Sequence, residues 1–162
     1  MRYRIILSYD GSSFCGWQIQ NQAETVQECL QNALSTLLKE NIAVTGAGRT
    51  DSKVNAINYV AHFETSNPDI DASAVGYKIN AILPAGIKVH SVERCEPDFH
   101  ARFDATQREY KYFLHRRRDP FMREYSYLYT FPLDVGKMNR AAQALLGKHD
   151  FSCFEKVGSD NK

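Results

Sequence analysis

The sequence predicts an α+β fold: a ferredoxin-like βαββαβ unit with an antiparallel sheet, followed by the start of a second, similar unit. Three observations carry this expectation. Up to Glu96 the apolar pattern alternates between a strand period and a helix period in the order strand, helix, strand, strand, helix, strand. Turn-forming Gly, Pro, Asn and Asp fall between those segments. After Pro97 a further strand-like stretch and a helical stretch follow, and the pattern stops before it repeats in full. Residues 1–105 are therefore expected to form one domain, and residues 106–162 an incomplete second α+β domain.

Each element has its own local reason. Residues 3–9 are β-branched and aromatic and run into Asp10-Gly11-Ser12-Ser13, a strand followed by a turn. Thr25 and Glu28 suit a capping box, and Val26, Cys29, Leu30, Ala33, Leu34, Leu37 and Leu38 recur at three- and four-residue spacing, which predicts the first helix. Strands are expected over 42–45 and 59–63, separated by a Gly-rich loop. Val75, Ile79 and Leu83 share a face of a second helix over 72–83, which Pro84-Ala85-Gly86 stops, and residues 87–92 form the next strand. In the second unit, residues 108–114 alternate like a strand. Met138, Ala141, Ala142, Leu145 and Leu146 mark a helix with Gly147 as its cap. Residues 155–162 read as a polar, loose tail.

Composition narrows the function classes. At 18.5 kDa with 43% hydrophobic and 24% charged residues, the chain sits near the globular average. Twenty Lys and Arg against 19 Asp and Glu give a net charge of +1, so no molecule-wide field favours nucleic acid or membrane, and any RNA-binding surface must be local. Cys15, Cys29, Cys95 and Cys153 are scattered without a C-x-x-C pair, which suits reduced thiols in a cytoplasmic protein. His62, His90, His100, His115 and His149 share no ligand spacing, so no metal is expected. The apolar run near Met1 is too short for a signal peptide or a membrane span.

Chemistry concentrates in Gly46-Ala47-Gly48-Arg49-Thr50-Asp51. Two glycines permit a tight loop, and Arg49 lies two residues from the Asp51 carboxylate. A guanidinium beside a carboxylate favours its ionised, nucleophilic form. The same spacing also suits an Asp51 that merely caps a turn while Arg49 faces solvent. Between residues 107 and 118, Arg108, Lys111, Arg116, Arg117 and Arg118 stand against one acid, Glu109, and are interleaved with Tyr110, Tyr112 and Phe113. That mixture suits RNA, with cations on phosphates and rings on unpaired bases. A solvated strand end with Tyr110 as a cross-strand packing residue fits it too. Phe14, Trp17 and Gln18 follow the first strand, where bracing of the Gly-rich loop, contact with RNA and, for Trp17, simple core packing all fit, core packing being the expectation for Trp17.

Several stretches resemble the tRNA pseudouridine synthase A family. They are Tyr9-Asp10-Gly11-Ser12-Ser13-Phe14-Cys15-Gly16-Trp17-Gln18-Ile19-Gln20 with Thr25-Val26-Gln27; Gly48-Arg49-Thr50-Asp51; Val60-Ala61-His62-Phe63; Phe99-His100-Ala101-Arg102-Phe103-Asp104-Ala105-Thr106; and Arg108-Glu109-Tyr110-Lys111-Tyr112. The resemblance covers nearly the whole chain. It implies the pseudouridine synthase fold, Asp51 as the catalytic aspartate, Tyr110 lining the base pocket, and Arg49 supporting Asp51 and the displaced base. It further implies a tRNA substrate met at the anticodon stem-loop, a homodimer, and no cofactor, because the isomerisation involves no redox change. Family members are longer and pair this part with a similar second part. The loop also departs from the family's Gly-Arg-Thr-Asp-x-Gly-Val-His-Ala pattern: Lys53 replaces glycine and Asn55 replaces histidine. If that position needs a left-handed backbone, Lys53 is strained there by about 1 kcal/mol. An RNA-binding module without catalysis, and a small-ligand or regulatory domain acting through protein contacts, are the competing readings.

Overall fold

The computed structural model describes residues 1–154 and divides into two compact units, Met1–Tyr110 and the chain from Lys111 onward. The first unit contains β1 (Arg2–Tyr9), α1 (Val26–Leu38), β2 (Val44–Gly46), β3 (Ala56–Glu64), α2 (Ala72–Ile79) and β4 (Ile87–Arg94). Its strands form one antiparallel sheet in the order β2-β3-β1-β4. Strict alternation along β1 sends Tyr3, Ile5, Leu7 and Tyr9 to one face. There they meet Ala61 and Phe63 of β3, Val89 and Val92 of β4, and Val26, Leu30, Leu34, Val75 and Ile79 of the two helices in a single core. Burial of each large aliphatic side chain there contributes about 1.5–3 kcal/mol.

Local chemistry sets the element ends. Thr25 takes an extended conformation, and its side chain accepts from the Glu28 N–H, so α1 starts where the sequence predicts. The expected strand over 42–45 begins instead at Val44. The Ile42 N–H donates to Ser35 Oγ at 3.0 Å and the Val44 N–H to Gln31 Oε1 at 2.9 Å, so α1 side chains engage these amides. The helix expected over 72–83 stops at Ile79, because the Asn80 side-chain amide donates to the carbonyls of Gly76 (2.7 Å) and Val89 (2.9 Å) and accepts from the Val89 N–H (2.8 Å). Residues 81–83 continue only as turns, which still bury Leu83.

On the sheet face opposite the helices, the Arg2 and Arg4 guanidiniums pair with Glu64 and Glu93. His62 lies on this face, yet it is buried beneath residues 97–104. The Ala101 N–H donates to His62 Nδ1 at 3.2 Å, and the rings of Phe99 and His100 pack edge-on against the imidazole.

The second unit contains β5 (Leu114–His115), β6 (Tyr127–Leu128) and α3 (Val135–Ala142). The strand predicted over 108–114 is reduced to β5, which pairs in parallel with β6. A longer strand needs a longer neighbour, and Tyr112 and Phe113 remain exposed where a sheet would have covered one face of them. The predicted helix is present in shortened form. α3 ends at Ala142, a 3₁₀ turn spans Gln143–Leu145, and Gly147 follows in the left-handed region at φ +98°. The tail predicted over 155–162 lies outside the described residues.

Candidate active site

The loop between β2 and β3, residues 47–55, carries Asp51 at its exposed middle. Its backbone is fastened from several directions. The segment after β1 forms a bed for it. The Trp17 N–H donates to the Thr50 carbonyl at 3.1 Å, while the Lys53 N–H and the Ser52 hydroxyl both donate to the Phe14 carbonyl at 3.3 Å. Close approach here requires glycine. A Cβ on Gly16, whose φ is +85°, would stand 2.4 Å from the Thr50 oxygen, and one on Gly11 would stand 2.2 Å from the Val54 oxygen. The Gly11 N–H in turn donates to Asn55 Oδ1 at 2.7 Å.

Two strand tyrosines hold the other side. The Tyr9 and Thr50 hydroxyls lie 2.9 Å apart. The Tyr59 hydroxyl donates to the Gly48 carbonyl and accepts from the Gly48 N–H at 3.1 Å. Burial is the main cause that raises the Tyr9 and Tyr59 hydroxyl pKa values above the ordinary tyrosine range, so both phenols stay protonated at neutral pH. Trp17 packs against both rings, 4.4 Å from Tyr59 and 6.2 Å from Tyr9 between centroids. The result is an aromatic floor of Tyr9, Trp17 and Tyr59 under the loop that carries Asp51. Neither a hydrogen bond nor an ion pair joins the Asp51 side chain to another described residue, Arg49 included.

The structure places the other sequence-predicted residues as follows. Arg49 is exposed two positions before Asp51. Tyr110 is exposed, and its phenol lies close enough to Tyr9 and Tyr59 to add to the raised pKa of each, so it shares the loop's end of the sheet. Arg108 donates to the Ala47 carbonyl (2.7 and 3.2 Å) and to the Arg102 carbonyl (2.7 Å), which ties the start of the loop to the segment leading to Tyr110. Lys111, Arg116, Arg117 and Arg118 are exposed in the second unit. Among the described residues no group of three or more His, Cys, Asp or Glu is placed to hold a metal, and no helix is long and apolar enough to cross a membrane.

Lys53 adopts φ +67°. The left-handed backbone that the sequence made conditional is therefore present, at a cost of about 1–2 kcal/mol for a residue with a Cβ. Sequence reasoning missed Tyr9, Tyr59 and Asn55 as loop anchors. A signal existed for Tyr9 alone, since it ends an alternating strand on the core face and a buried phenol hydroxyl needs a partner.

A family model described as tRNA pseudouridine synthase matches residues 5–104. The chain is 47% identical over 161 residues to tRNA pseudouridine synthase A of Bacteroides fragilis, covering 99% of this chain and 64% of that protein. It is 47% identical over 161 residues to the enzyme of the same name from Bacteroides thetaiotaomicron, covering 60% of that protein. It is 41% identical to that of Parabacteroides distasonis, again over 161 residues and 64% of that protein. The chain thus spans between 60% and 64% of the length of these relatives.

Proposed function

Because the chain belongs to the tRNA pseudouridine synthase family, we propose that it carries the catalytic portion of an enzyme converting uridine to pseudouridine in tRNA, with Asp51 as the acting carboxylate. The observation that carries this reading is the contrast at the loop: a loop pinned at the Gly48, Thr50 and Lys53 main chain and the Asn55 side chain presents an exposed carboxylate with no partner among the described residues. A fixed, accessible carboxylate is what covalent or proton-transfer chemistry on a nucleoside requires.

The reaction breaks the bond from ribose C1′ to N1, turns the uracil, and rejoins it through C5, so it needs neither an oxidant nor a cofactor. A stacked uridine has to be extruded first, at a cost of a few kcal/mol. In this reading Tyr110 stacks on the extruded uracil and Arg49 steadies the displaced base. Lys111, Arg116, Arg117 and Arg118 hold phosphates. Arg108 is expected from the sequence to join these cations, but its guanidinium is committed to the Ala47 and Arg102 carbonyls, and its part is to hold the loop. We read the first unit as ferredoxin-like, in keeping with its βαββαβ order and its β2-β3-β1-β4 sheet. The second unit is read as the opening of a further α+β domain. The same reading makes the whole protein a cytoplasmic homodimer that acts on the anticodon stem-loop, as the family resemblance implies. A non-catalytic RNA-binding role is favoured by one observation, the strained Lys53 two residues from Asp51.

Tritium release from tRNA labelled at uridine C5 tests the reading, because C5 loses its hydrogen when the new bond forms. Release is expected with the native chain and is expected to fall by at least about 10²–10⁴-fold in Asp51→Asn, the range a positioned proton-transfer group supplies. Equal release by both would remove Asp51 from the chemistry. Release by neither, with tRNA still bound, would leave the binding role.

A further inference from the structure

No contact among the described residues accounts for a lysine at position 53. The loop imposes the left-handed conformation there. The Lys53 N–H is held by the Phe14 carbonyl, the Val54 N–H closes a turn onto the Asp51 carbonyl at 3.2 Å, and the Lys53 carbonyl carbon sits 2.9 Å from where a Gly11 Cβ would be. With the backbone set in this way at φ +67°, glycine is the residue of least strain, and any side chain is carried at a cost. No contact of the side chain among the described residues offsets that cost. Lys53 is exposed, and no ion pair or side-chain hydrogen bond engages its ammonium among the described residues. Strain kept in a fastened loop, with no internal contact to balance it, points to a ligand.

We infer that Lys53 binds a backbone phosphate of the RNA strand that presents its nucleotide to Asp51, an inference that rests on the functional reading above. The chemistry is matched. A nucleotide turned out of its stack toward Asp51 carries a phosphate on either side, so one of them passes along the loop two residues from the carboxylate. A lysine ammonium is a compact point charge suited to a single phosphate oxygen. Because the 53 backbone is fixed by Phe14 and Gly11, the base of the side chain is held in place, and only its four-carbon stem has to be ordered on binding. The contact is one of position rather than of base identity, so it is the same whatever sequence flanks the target.

The test uses the chain as it stands, with fluorescently labelled tRNA titrated across a salt series, and compares the native protein with Lys53→Gly, Lys53→Gln and Lys53→Arg. Loss of the phosphate contact is expected to weaken binding by roughly 3- to 10-fold in the Gly and Gln variants. It should also flatten the slope of log affinity against log salt by about 0.7–0.9, while Lys53→Arg keeps both near native. Thermal unfolding separates this from damage: Lys53→Gly is expected to melt above the native protein and Lys53→Gln is not, so weaker binding by a more stable protein is the signature. Native affinity and native slope in Lys53→Gly and Lys53→Gln would overturn the contact alone. No tRNA binding by the native chain would overturn the functional reading and the contact together.

Discussion

His62 shows how one side chain ties stability to pH. Burial lowers its pKa first, and the neighbouring His100 and Arg2 lower it further against the weaker opposite pull of Glu64 and Asp104. The folded state therefore resists protonation that the unfolded chain accepts near pH 6.5. Stability is full above about pH 6.5 and falls as pH drops through that value toward the lower folded pKa. Protonation at Nδ1 would also cost the Ala101 N–H its acceptor. His62→Asn retains an acceptor without a titrating ring, and its urea midpoint should change less than the native one between about pH 7.5 and 5.5. The carboxylates Glu64 and Glu93, lowered by Arg2 and Arg4, act in a separate window, since their contribution is present above the ordinary carboxylate range and is lost below it. At this scale the candidate site was partly legible. The two glycines and the Arg-x-Asp spacing marked the loop, and the family pattern showed in advance that position 53 was unusual. Tyr59 was not legible as an anchor, because its hydroxyl meets Gly48 across eleven residues of chain, and that pairing exists only once β2 and β3 are in register. Asn55 looked like a lost histidine, whereas in the structure its amide oxygen fastens Gly11.

Among the elements, those with a strong period and a cap came through intact, and those whose ends depend on a distant side chain did not. α1 has both a cap and a period, and it begins and ends where they predict. α2 and β2 were each shortened by a polar side chain that satisfies main-chain groups: Asn80 in one case, and Gln31 with Ser35 in the other. The same side chains cover the sheet's flanks. Gln27 and Gln31 engage the carbonyl and N–H of Val44, and Asn80 engages both polar groups of Val89. Edge strands left open invite pairing with another chain. Asn80→Ala removes three hydrogen bonds at once and leaves the Val89 groups unpartnered, so it should destabilise the first unit by about 1–3 kcal/mol in urea unfolding. It should also raise light scattering near the transition midpoint. An unchanged midpoint would mean that water replaces the amide without loss.

At the scale of the whole molecule, the buried side chains among the described residues end at Ala101, and most of the exposed large hydrophobic residues fall between Tyr110 and Phe154. The first unit carries the core, and the second has none of comparable extent among the described residues. Trypsin should therefore cut first at the exposed Arg116, Arg117 and Arg118 and leave a resistant N-terminal fragment, to be identified by mass spectrometry. Early cleavage within 1–105 would contradict that distribution of stability. The strand expected over 108–114 failed for a reason found at this scale. Its alternation is real in the sequence, but alternation specifies a strand only where a sheet exists to receive it, and β5 meets only the two residues of β6.

The floor beneath the loop also gives the molecule an optical readout. Trp17 is the one tryptophan in the sequence; it is buried, its ring packs at a tilt against Tyr59, and its own main chain is bonded to Thr50. The emission of this single indole therefore reports on the loop that carries Asp51. A loop that lifts away lets water reach the ring and shifts its emission to the red, while far-ultraviolet ellipticity, which follows the helices and sheet, stays unchanged. Movement of the loop can then be separated from unfolding of the protein by colour alone.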